Sequence, residues 1–135
     1  MKITRLLLAA TAVLAASVAA HAQPLEKTFP KAAVAGRTSH LDSYYAVKLD
    51  CTPVDWADVR IVQQPQNGKA MASKGSVLMY YSEENPRKSC NGKPVEAIRL
   101  MYTPNEDARG DDRIVVEVVY SSGESRRFTY ELTVK

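Results

Sequence analysis

Arg126-Arg127-Phe128-Thr129-Tyr130-Glu131-Leu132-Thr133-Val134 is the stretch on which the fold turns. Phe128, Tyr130, Leu132 and Val134 alternate with Thr129, Glu131 and Thr133, and a period of two over that length is a strand with one buried face. Upstream, Arg113 to Tyr120 repeats the pattern, with Ile114, Val116, Val118 and Tyr120 on one side. Ser121-Ser122-Gly123-Glu124 between them suits a hairpin connection. A lone hairpin is marginal in water, so these two strands need a larger sheet and a second layer.

Further strands are predicted on the N-terminal side. Ile98, Leu100 and Tyr102 alternate with Arg99 and Met101, and a loop follows over 103–112. Val59 to Gln63 is a short strand ended by Gln64-Pro65-Gln66-Asn67-Gly68, whose proline and Asn-Gly pair supply turn geometry. Lys69 to Ala72 and Ser76 to Tyr81 are expected as two strands about a turn at Ser73-Lys74-Gly75. Ser82 to Pro94 is polar and reads as a long loop. From Tyr44, a strand is expected with Tyr45, Val47, Leu49 and Cys51 inward and Lys48 and Asp50 outward.

No segment after residue 22 holds a helical period with caps. The expected fold is all-β, an antiparallel Ig-like β-sandwich of about seven strands over 43–135, with a small barrel as the alternative. Residues 23–42 are expected as an extended N-terminal arm able to contribute an edge strand.

Residues 1–22 have the order of a secretory signal peptide. Lys2 and Arg5 precede an apolar run from Leu6 to Ala20, and Ala20-His21-Ala22 ends it. That run is short for the roughly 20 residues of a membrane span. The expected location is the periplasm or the exterior, with no membrane insertion after cleavage. Cys51 and Cys90, an even pair in an oxidising compartment, are expected to form one disulfide. The formal net charge of +3 falls to +1 without Lys2 and Arg5, which removes the case for nucleic acid as a partner.

The order of these signals resembles the bacterial Ig-like and cadherin-like repeat modules of exported surface proteins. Three matches carry the resemblance: Pro65-x-Asn67-Gly68 after a strand, Tyr102-x-Pro104 followed by Gly110-x-Asp112-x-Ile114, and the Gly123 hairpin before the last strand. Ala108 departs from it, since the family has an aromatic residue two places before the glycine. The interval from Gly68 to Tyr102 is longer than the family needs. The resemblance implies a sandwich with a binding or spacer role and names no ligand.

Residue chemistry points the same way. No catalytic residue, metal or cofactor is expected. His40 is the one imidazole after the leader, and its neighbours Ser39 and Asp42 are too close in sequence to be arranged as a triad. Glu83-Glu84 keeps a small periplasmic hydrolase as an alternative.

The acidic loop 105–112 has hard oxygen ligands of the kind calcium takes, but it is read as a structural turn. In that reading Gly110 supplies a positive φ, Asp112 accepts backbone N–H groups, and Tyr102 and Pro104 complete the motif. Arg87, Lys88 and Lys93 lie in the loop tethered by Cys90 and form the candidate binding loop, since a tethered loop loses less entropy on binding.

Among seven tyrosines, Tyr45, Tyr102, Tyr120 and Tyr130 are assigned to the core. Tyr44, Trp56, Tyr80 and Tyr81 remain as a candidate aromatic patch, which would suit a protein partner or a carbohydrate. The expected function is therefore an exported, non-enzymatic module, either one that binds another envelope or extracellular protein or a structural component of the envelope, with a carbohydrate-binding module as an alternative and the oligomeric state left open.

Overall fold

A computed structural model describes residues 24–54 and 58–135, so the leader and Trp56 lie outside the described residues. Seven strands follow one another: β1 (Leu25–Ala33), β2 (Ser39–Tyr44), β3 (Asp58–Gln63), β4 (Gly68–Leu78), β5 (Pro94–Pro104), β6 (Gly110–Val119) and β7 (Ser125–Val134). One sheet has the order β1-β7-β6-β3 and the other β2-β5-β4. Every pairing is antiparallel except that of β1 with β7. The fold is an all-β sandwich of seven strands in two packed, mainly antiparallel sheets, as expected.

Three local expectations need correction. The arm at 23–42 supplies two strands of the sandwich, β1 as a nine-residue edge along β7 and most of β2. Ser73-Lys74-Gly75 is no turn: β4 runs unbroken from Gly68 to Leu78, in register with all of β5. The strand expected from Tyr44 instead ends there. A bulge between His40 and Asp42 inserts Leu41, and the shifted period buries Leu41 and Tyr44 in the main core.

The main core lies between the sheets. Ile114, Val116 and Val118 of β6 and Tyr130, Leu132 and Val134 of β7 meet Tyr44, Ala70, Leu100 and Tyr102 from the opposite sheet. The outer face of the four-stranded sheet is charged. Arg60, Glu117, Arg127 and Glu26 are direct neighbours in register across all four strands. Glu117 accepts from Arg60 at 2.9 Å and Arg127 at 3.4 Å, and Glu26 stands 3.6 Å from Arg127.

A second core accounts for the long interval before Tyr102. Val47, Met79, Cys90 and Val95 are buried together, with Tyr45, Cys51, Val77 and Tyr81 packed on them. In register, Val77 opposite Val95 shares a face with Met71 opposite Met101, whereas Ala70 opposite Tyr102 looks into the sandwich. The second core therefore sits on the outer side of the three-stranded sheet. The connection after β2 and the loop before β5 cover it, joined by the Cys51–Cys90 disulfide with Cα atoms 5.5 Å apart.

Candidate functional site

The Tyr102 and Asp112 motif is a structural knot. Gly110 has φ +84°, and Asp112, two residues on, is buried. Its Oδ1 accepts from Gln66 N at 2.8 Å, and its Oδ2 accepts from Asn67 N at 2.9 Å and the Tyr102 hydroxyl at 2.8 Å. Burial pushes the Asp112 carboxyl up, but these donors together with Arg113 N outweigh it and hold the group below the ordinary carboxylate range. Burial, then the bond to Asp112, raises the Tyr102 phenol. The motif thus ties the turn between β3 and β4 to β5 and β6, and Pro104 is buried beside it.

Of the candidate binding loop, Arg87 is engaged within the fold, and Lys88 and Lys93 are exposed. Arg87 donates from Nε to the Val47 carbonyl at 2.6 Å, which holds the loop against the connection after β2. Lys88 pairs with Glu83, and Lys93 Nζ lies 3.6 Å from Cys51 Sγ. Arg87 thus braces the loop, while Lys88 and its partner Glu83 are exposed at the surface.

The tyrosines divide differently from the expectation. Tyr44 is 7% exposed and belongs to the core, because the bulge in β2 turns it inward. Its hydroxyl lies 2.6 Å from that of Tyr130, which donates to Asp42 Oδ2 at 2.6 Å, so a chain of hydrogen bonds joins β2 to β7. Burial raises both phenols. Tyr45, expected in the main core, packs instead in the second one, edge-on to Tyr81 with ring centroids 5.8 Å apart.

Tyr80 is the outlier at 81% exposure. Its backbone is nevertheless fixed: the Tyr45 hydroxyl accepts from Tyr80 N at 2.8 Å and donates to Tyr80 O at 3.1 Å. Asn91 clamps Tyr81 in the same way, accepting from its N–H at 2.7 Å and donating to its carbonyl at 3.0 Å. Leu78, 66% exposed, stands two residues before Tyr80.

Tyr80 and Leu78 border a cleft of about 470 Å³ at one end of the sandwich, lined also by His40, Asp42, Tyr120 and Phe128. His40 Nε2 is 2.8 Å from Ser43 Oγ, and the Arg126 guanidinium lies 5.1 Å from the Tyr120 ring centre. Among the described residues Asp42 is the one carboxylate lining this cleft, and its Oδ2 already accepts from Tyr130. Sequence reasoning missed Leu78, His40 and Asp42 as cleft residues. The doubled tyrosines at 44–45 and 80–81 were the available signal.

No family model matches the chain, and no curated protein matches it. Among solved structures, the solution structure of amebosin aligns over 84% of this chain and 100% of that one, at 10% identity and a TM-score of 0.44. That likeness carries no functional argument. Among the described residues, no helix is long and apolar enough to cross a membrane.

Proposed function

We propose that the protein is an exported binding module that grips another envelope or extracellular protein through its tyrosine-rich end, with Tyr80 as the anchor. The observation that carries this reading is an 81% exposed ring on a backbone clamped at both its N–H and its carbonyl. A rigid aromatic loses little entropy on docking, and such residues dominate the energetics of interfaces. The charged leader with its apolar run and the Cys51–Cys90 bridge support export to an oxidising compartment.

Capture from a periplasmic or secreted fraction by the wild type and by Tyr80→Ala tests the reading. The substitution should weaken retention of the captured partner by about 30-fold, the effect of an anchor of about 2 kcal/mol. Its melting temperature should stay near that of the wild type, because the ring is exposed. Equal capture by both proteins would reject Tyr80 as the anchor. The same pair tests a sugar ligand, which the ring beside Asp42 and His40 also suits: polysaccharide held by the wild type and released by Tyr80→Ala would assign the ligand as carbohydrate.

A further inference from the structure

The sandwich has four sheet edges, and three are blunted. β1 carries Pro30, and bulges interrupt β2 between His40 and Asp42 and β3 between Ile61 and Gln63. Prolines and bulges are the devices by which sheets refuse further strands. β4 has neither, and its eleven residues keep an unbroken register with β5.

One side chain reveals which backbone groups of β4 face outward. The Gln64 carboxamide accepts from Ala70 N at 3.2 Å and donates to Ala70 O at 3.3 Å, so the groups of Ala70 point away from β5. Alternation along an antiparallel ladder then turns the N–H and C=O of Ala72, Lys74, Ser76 and Leu78 the same way. Met79, in the opposite phase, bonds to Lys93 O at 2.9 Å and Gly92 N at 3.0 Å on the β5 side, as the alternation requires. Gln64 thus closes the edge at Ala70 and leaves it open from Ala72 onward.

Charge specifies what fits there. Arg99 stands opposite Ser73, and its guanidinium lies over the neighbouring Gly75, where a Cβ would come 2.5 Å from Nε and 2.9 Å from Cζ. Nε is buried with no hydrogen-bond partner, and among the described residues no carboxylate pairs with Arg99. The missing side chain of Gly75 therefore lets a cation from β5 reach across β4 to the open edge.

We propose that the β4 edge receives an extended segment of a partner protein, hydrogen-bonded to Ala72, Lys74, Ser76 and Leu78 and carrying an Asp or Glu whose carboxylate meets Arg99 over Gly75. Strand addition draws its affinity from main-chain bonds and its specificity from alternate side chains. A second copy of this chain fits less well. Antiparallel self-pairing of those four residues sets Ala72 against Leu78 and Lys74 against Ser76, which puts the two-fold axis at Gly75 and crowds two Arg99 guanidinium groups around it.

The test is selection of random nine-residue peptides on the mature protein, followed by titration of an enriched peptide. Enriched sequences should share an acidic residue at a fixed place in an alternating context. Lys74→Pro removes an N–H that points away from β5, so it should weaken binding at least tenfold and leave the melting temperature close to that of the wild type.

Arg99→Gln, which touches no ladder bond, should weaken binding at least fivefold, and changing the peptide's acid to its amide should then add little further loss. It keeps the test open should Lys74→Pro fail to fold. In Tyr80→Ala the peptide's acid should keep its full contribution to affinity, which separates the Arg99 contact from the Tyr80 surface. The proposal is overturned by a lack of enrichment, by binders without an acid, or by equal affinity for Arg99→Gln. A wild-type dimer that Lys74→Pro dissociates would overturn it as well, since the edge would then hold a second copy.

Discussion

Asp112 takes three bonds from outside its own strand, from Gln66 N, Asn67 N and the Tyr102 hydroxyl. Asp112→Asn replaces one acceptor oxygen with a donor that faces other donors, and it removes the charge that strengthens all three bonds. A loss of about 2–3 kcal/mol at neutral pH is expected. Thermal melts should register it as a drop of roughly 10 °C.

The folded carboxyl is held below its ordinary range, so its stabilisation is complete above the unfolded value near 3.9 and fades as pH falls through the folded value. Denaturant titrations at falling pH should show a shallower acid limb for Asp112→Asn than for the wild type; parallel limbs would deny Asp112 this role. The motif Gly110-x-Asp112 was legible in the sequence because its turn chemistry is local. What Asp112 holds was not, since Gln66 and Asn67 lie more than 40 positions away.

At the scale of elements, strands with one clean buried face were read correctly, and β6 and β7 are the examples. β4 was misread because its burial changes sides along its length: Ala70 faces the main core, while Val77 and Met79 serve the second one. A strand buried on opposite faces at its two ends has no single period, and Lys74-Gly75 in the middle imitated a turn. β1 was foreseen only as an edge strand the arm could add, without bounds or partner, for a different reason. Much of it is exposed, and it is held by main-chain pairing with β7, which leaves no mark on side-chain pattern.

The disulfide joins the two segments that cover the second core, so its loss should act there first. Replacing both cysteines with alanine should cost about 4 kcal/mol or less, the chain-entropy figure for a loop of this size. Hydrogen exchange should accelerate in 45–54 and 79–93 before β6 and β7 respond. Uniform acceleration would mean that the two cores unfold as one unit.

Across the whole molecule, ionisable groups inside the sandwich set the pH range over which it is stable. Tyr44, Tyr102 and Tyr130 are all raised by burial, so the folded protein keeps phenolic protons that an unfolded chain gives up near pH 10. The unfolded state then binds fewer protons, and stability must fall as pH climbs past about 10. Urea midpoints between pH 7 and 11 should show that decline, with Tyr44→Phe flattening it; an unchanged slope in the variant would place the titrating groups elsewhere.

The pairing of β1 with β7 bears on biogenesis. Leu25 is registered against Arg126, and β7 lies inside its sheet between β1 and β6. β1 therefore waits without a sheet neighbour until β7 has been made, and the four-stranded sheet closes only then. The three-stranded sheet β2-β5-β4 has all its strands by Pro104, so synthesis supplies the two layers of the sandwich in a fixed order.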